Sequence, residues 1–192
     1  MDYFHSKQIF SPNQGDLLIS EPYLPDPNFE RTVILLCNHG EDGSFGFVLN
    51  KEANLRFDDV IRDVDGFEEK LYIGGPVQQD TLHFIHRSED QEIGGKAIGG
   101  GLYWGGDYEM LLSKIKLGQL DSMDFRFFIG YSGWGQGQLQ EEIQAKSWIV
   151  YKNVQASQIL DIRTENLWKE ALSKLGGKFK MFANYPSDPR MN

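Results

Sequence analysis

The chain has 192 residues and a formal charge of −9, from 19 basic against 28 acidic side chains. With 40% hydrophobic and 13% aromatic residues it can bury a substantial core as one domain, and no run approaches the roughly 20 apolar residues of a membrane span. The acidity and the lack of a basic stripe weigh against direct nucleic-acid binding, which needs clustered Lys and Arg to neutralise phosphates.

Residues 1–14 read as an N-terminal arm, with no basic stretch leading into an apolar one and hence no secretory signal. One domain over 15–178 follows, and 179–192 reads as a C-terminal tail. GDLLIS (15–20) is a short apolar strand. Pro22, Pro25 and Pro27 then impose a loop that leads to Arg31 and Thr32. RTVILLCN (31–38) is a continuous apolar run and predicts a central strand. Its lone Cys37 has no partner for an intramolecular disulfide, reads as a buried thiol and fits a reducing cytoplasm. HGEDGSFG (39–46) has hairpin-turn chemistry, and 46–51, with Asn50, returns as the partner strand.

Phe57, Val60, Ile61 and Val64 recur at helical spacing and predict a helix over 57–64, ended by Asp65-Gly66. KLYIGGPV (70–77) is a strand running into the corner Gly74-Gly75-Pro76. TLHFIHR (81–87) is another strand, with Leu82, Phe84 and His86 on one face and His83 and Ile85 on the other. The glycine-heavy stretch 96–107 suggests a strand with a bulge or a close backbone approach. Asp107 caps a helix marked by Tyr108, Leu111, Leu112 and Ile115 and closed by Gly118.

The stretch FRFFIGYSGWGQGQLQEEI (125–143) organises the chain. Phe125, Phe127, Phe128 and Ile129 fit a buried strand. Gly130, Gly133, Gly135 and Gly137 read as a turn around Tyr131 and Trp134, and Gln138 begins a helix. Strand, glycine turn and helix N-terminus form either a tight connection or an anion site. Adjacent Glu141 and Glu142 read as a solvated, dipole-favoured face. A strand at 147–152, a helical turn at 156–160 and a helix capped by Thr164 and ended by Gly176-Gly177 complete the set. The irregular order of strands and helices points to an α+β single domain. Its mixed sheet would curl into a partial or flattened barrel flanked by helices.

Motif chemistry is mostly negative. No phosphate loop, dinucleotide fingerprint or nucleophile elbow is matched, and Ser132 lacks the second glycine in place. His83 and His86 point to opposite faces of a strand and cannot share a metal. His39 reads as part of a solvated hairpin tip. No catalytic residue, metal or cofactor is expected.

GDLLIS at 15–20, Asp26 and Phe29 leading into RTVILL, GFVLNK at 46–51, GGPV at 74–77, LHFIH at 82–86 and GYSGWGQGQLQEEI at 130–143 occur together and in order. SWIV at 147–150 and the helix of Trp168 follow behind them. As a set they resemble the AlgH/YqgE family of bacterial proteins. The resemblance implies one cytosolic α+β domain with no established activity and no agreed catalytic residue. It also carries the label of transcriptional regulator, which the acidity does not fit as direct DNA binding.

Two readings follow. In the first the chain is a non-enzymatic binding or regulatory module for a protein or small molecule. Its surface would comprise Arg31, Thr32, Asn50, Gly74, Gly75, Pro76, Gly130, Tyr131, Gly133, Trp134 and Gln138. In the second it is a small-ligand or nucleotide-binding enzyme, with the Gly130–Gln138 loop and helix N-terminus as an anion site and Arg31 as counter-charge.

Overall fold

The computed structural model describes residues 11–87, 89–161 and 166–184. The strand at its centre is β9, Phe125–Trp134. The first half of β9 runs parallel to β5, Lys70–Ile73, with Leu71 opposite Phe127 and Ile73 opposite Ile129. On its other side lies antiparallel β6, Val77–His86, with Phe84 opposite Phe127. Its last three residues pair with β3, Gly43–Val48, from Ser44 opposite Trp134 to Gly46 opposite Ser132.

A turn was expected over 130–137, yet the strand continues through Trp134. Gly130 explains the difference. At φ +67° it adopts the left-handed conformation, and a Cβ there would lie 2.7 Å from the Val77 carbonyl oxygen. It bends β9 without ending it, and the extra residues of the irregular pairing lie on β6, four between Val77 and Leu82 against Gly130 alone. Before it, Phe125 and Phe127 face one core and Phe128 another; beyond it, Tyr131 joins the core of Phe128 and Trp134 enters a third. One residue out of step thus hands β9 from one half of the sheet to the other.

The remaining strands are β1 (Leu17–Ser20), β2 (Val33–Gly40), β4 (Glu52–Arg56), β7 (Lys96–Gly99), β8 (Leu102–Trp104) and β10 (Trp148–Tyr151). The order is β10-β1-β2-β3-β9-β6-β8-β7, and off that path β5 pairs with β9 and β4 with β5. The sheet is therefore mixed and not closed. It curls far enough that Leu35 on β2 and Leu102 on β8 share one core, and Gln14 Nε2 donates to the Ala97 carbonyl at 2.8 Å.

Helices cover three surfaces. α5 (Leu167–Leu175), with α4 (Ala156–Leu160), closes the enclosed core through Leu167, Trp168 and Leu172. α1 (Phe57–Val60) and α2 (Tyr108–Lys116) supply Phe57, Leu111 and Ile115 to the core of Phe127. α3 (Gln138–Gln144) lays Leu139 and Ile143 over Leu18, Ile34 and Val48. α6 (Gly177–Phe182) follows α5, and Ala183 after it is buried.

Several boundaries differ from expectation. Two residues, Glu41 and Asp42, suffice to turn the β2–β3 hairpin, so β3 begins at Gly43. The helix at 57 stops at Val60 because Ile61 is extended. The stretch 96–107 is a hairpin, β7 and β8, turned by Gly100-Gly101. β4 was not anticipated, since its side chains are mostly exposed and carry no alternating pattern. The expected cap Thr164 lies outside the described residues.

Candidate functional site

The β2–β3 hairpin ends beside the last residues of β9, and the start of β6 crosses behind it. Together with β8 these elements line an open cavity of about 560 Å³. Phe45 is its central wall. The Phe45 ring meets Trp104 edge-on at 4.6 Å between centroids and Tyr131 at 6.1 Å. Val77, His83, Gly133 and Trp134 continue the lining, and Asn38, Asp42 and Ser44 supply polar groups from the hairpin tip. The volume lies within the range of small-molecule sites.

The polar groups are partly committed. Thr81 Oγ1 lies 2.7 Å from the Gln78 carbonyl and 2.9 Å from His83 Nε2. Both bonds form at once when the hydroxyl donates to Gln78 and accepts from a neutral imidazole N–H. Burial lowers the His83 pKa below its ordinary value, which favours that neutral form. Lys96 Nζ donates to Asn38 Oδ1 at 3.1 Å. His39 Nδ1 and Ser44 Oγ are 2.7 Å apart, so His39 is half-buried and paired, not solvated at the tip as expected.

Of the residues singled out from sequence, Tyr131, Gly133 and Trp134 line this cavity. Gly74 and Gly75 are pressed onto β9 behind it. A Cβ on Gly74 would lie 2.4 Å from the Gly130 oxygen, and one on Gly75 2.2 Å from the Tyr131 carbonyl carbon. Ser132 Oγ donates to the Gly74 oxygen at 3.0 Å. Pro76 is exposed at the corner where β6 begins. The Gly74 N–H serves the sheet, donating to the Ile129 oxygen.

Arg31, Thr32 and Asn50 belong elsewhere. They sit at the open end of the β2–β3 hairpin, about 25 Å along an eight-residue strand from its tip. Asn50 ties that end together, accepting from Val33 N at 2.9 Å and donating to the Arg31 oxygen at 2.8 Å. Thr32 Oγ1 donates to the Phe29 oxygen, and its N–H donates to Ser20 Oγ. The Arg31 guanidinium lies 5.0 Å from the Trp168 ring, whose Nε1 donates to the Ser20 oxygen. Arg31 and the Gly130–Gln138 segment therefore do not converge.

The start of α3 is similarly occupied. Gln138 Oε1 accepts from Gly135 N, and Gln138 Nε2 donates to Glu142 Oε1, each at 2.9 Å. Glu142 Oε2 accepts from both Trp134 Nε1 and Trp148 Nε1. Glu142 is thus half-buried between two indoles, a correction to the solvated face expected for it. A carboxylate in this place opposes an anion at the same end.

Phe45, His83 and Trp104 were missed as site residues. Trp104 alone carried a signal, as a large ring followed by two glycines. His83 and His86 do face apart: His83 packs on Phe47 and Tyr131, His86 on Tyr103 and Phe125. Among the described residues no three His, Cys, Asp or Glu side chains converge as metal ligands, and no helix is long and apolar enough to cross a membrane.

Comparison with known proteins agrees with the resemblance. The pattern of the AlgH-like family matches residues 17–180. A UPF0301 protein of Cytophaga hutchinsonii is 43% identical over 180 residues, 93% of this chain and 98% of its own length. One from Bacteroides thetaiotaomicron is 38% identical over 182 residues, 94% of this chain and 92% of the relative. The solution structure of the AlgH protein from Pseudomonas aeruginosa superposes with a TM-score of 0.69 at 26% identity, covering 94% of this chain and 98% of that one. A crystal structure from Corynebacterium diphtheriae shares the fold, with a TM-score of 0.77 at 22% identity over 93% of this chain and 95% of that one.

Proposed function

The chain belongs to the AlgH-like family, and on that premise we propose that it is a non-enzymatic binding module whose ligand enters the aromatic cavity at the β2–β3 tip. The observation that carries this is the cluster of Phe45, Trp104 and Tyr131 lining an open groove beside a polar hairpin tip. Apolar walls with few polar groups suit binding and orientation. The nearest imidazole in the cavity, His83, is committed to Thr81. A regulatory role would follow if ligand binding alters the exposed hairpin tip. We take the compartment to be the cytoplasm, which a lone Cys37 buried in the core, its thiol pushed up by burial, fits.

The test is a thermal-shift screen of the pure chain against nucleotides, phosphorylated metabolites, amines and short peptides. Binding to the native state raises the midpoint. A true ligand raises it for the wild type and for Arg31→Ala but not for Trp104→Leu. Shifts lost in Arg31→Ala and kept in Trp104→Leu would contradict the proposal.

A second reading rests on one bond, that between His39 Nδ1 and Ser44 Oγ at 2.7 Å. It would make Ser44 a nucleophile with His39 as its base. Ser44 is only 9% exposed, so that chemistry needs the tip to open. Covalent labelling by a fluorophosphonate, abolished in Ser44→Ala, would favour it over the binding module.

A further inference from the structure

We propose that the ligand taken by this cavity is a small organic cation, a molecule carrying a trimethylammonium or similar alkylammonium group. The inference rests on the binding-site reading above and names its chemical class.

Three rings, Phe45, Trp104 and Tyr131, line the cavity side by side. The Phe45 ring stands at 64° to Trp104 and at 79° to Tyr131. Rings inclined to one another in this way turn both edges and faces toward the open groove that all three line. The negative faces of such rings attract a cation, most strongly for Trp and when the cation is desolvated. An alkylammonium group suits them better than a primary amine, because its methyl groups bury apolar area while the charge remains.

The polar part of the lining has the matching sign. Asp42 supplies a carboxylate at the hairpin tip. Burial disfavours the imidazolium form of His83, so that wall adds no repelling charge at neutral pH. The Lys96 ammonium is held at Asn38, on the rim of the same lining, and a cationic ligand would sit on the Asp42 and aromatic side away from it. A chain of net charge −9 adds a long-range field that draws cations. An anionic ligand would meet the Asp42 carboxylate, the negative ring faces and the negative net charge.

The experiment compares choline with 3,3-dimethylbutan-1-ol, its uncharged isostere, in titrations of the full chain followed by the indole N–H resonance of Trp104. That resonance is assigned by its loss in Trp104→Phe. Choline is expected to shift it saturably, and the alcohol to bind at least about tenfold more weakly, the factor that cation–π attraction supplies. Asp42→Asn, at the exposed tip, should weaken choline several-fold and leave the alcohol unchanged. Tyr131→Leu should weaken choline about tenfold, its amide spectrum reporting that the fold is kept. Equal affinities for choline and the alcohol at this resonance would overturn the cation inference and leave the binding site standing. No shift from either probe up to about 50 mM, a range that reaches very weak binding, would overturn the cation inference. Whether the site itself survives is then decided by the thermal-shift screen.

Discussion

Trp134 and Trp148 both donate their indole N–H to one oxygen of Glu142, at 2.9 and 2.7 Å. One carboxylate thereby fixes α3 to the end of β9 and to the edge strand β10. Both indoles are buried, with Trp134 6% and Trp148 4% exposed. Glu142→Ala would leave two buried donors without their acceptor, at a cost of about 2–4 kcal/mol. Glu142→Gln keeps an acceptor and should cost about 1 kcal/mol. Urea unfolding followed by tryptophan fluorescence measures both. Equal costs would show that the indoles find other partners.

The corner Gly74-Gly75 is a packing contact. A Cβ at either position would lie 2.2–2.4 Å from the backbone of β9. Gly75→Ala is expected to destabilise by more than about 3 kcal/mol or to prevent folding, as overpacking against immovable backbone does. Gly105→Ala makes the control: φ is +65° but nothing lies within 4 Å, so only the conformational cost of about 1–2 kcal/mol applies. Thermal midpoints of the two variants separate sterics from strain.

Arg31→Ala should behave as a stability variant. It removes the guanidinium beside the Trp168 ring and should cost about 1 kcal/mol by urea unfolding. Ligand affinity at the β2–β3 tip should be unchanged. A large loss of affinity with unchanged stability would relocate the site to the Asn50 end.

His83 predicts a pH dependence. Its folded pKa lies below its ordinary value through burial, so the unfolded chain binds the proton first as pH falls. The resulting contribution to stability is full above the unfolded pKa, about 6.5. It declines as pH falls from there toward the folded pKa. Comparing wild type and His83→Gln by thermal melts between about pH 5 and 8 isolates it, since the variant should lose less stability on acidification. A steeper loss in the variant would reverse the sign.

Much of the frame was legible because burial leaves a plain pattern. RTVILLCN announces β2 through unbroken apolar residues, and Asp107 announces α2, where it accepts from Met110 N. β4 was not legible, because EANLR packs little and takes its conformation from β5. Gly130 misled for a physical reason: a glycine that bends a strand and one that ends it are identical in sequence. The cavity was half legible. Tyr131 and Trp134 sit in the stretch that drew attention, but Phe45, His83 and Trp104 reach them only through the register of four strands. Glu142 was misread because its two indole partners come from different strands.

The most direct test of the cavity as the binding site is a crystallographic fragment screen. Crystals of the chain would be soaked with small amines, aromatics and phosphates. The expected result is fragments collecting between Phe45, Trp104 and Tyr131, with amines preferred and phosphates absent. Fragments gathering at Arg31 and Asn50, or phosphates at the start of α3 with the aromatic groove empty, would contradict it.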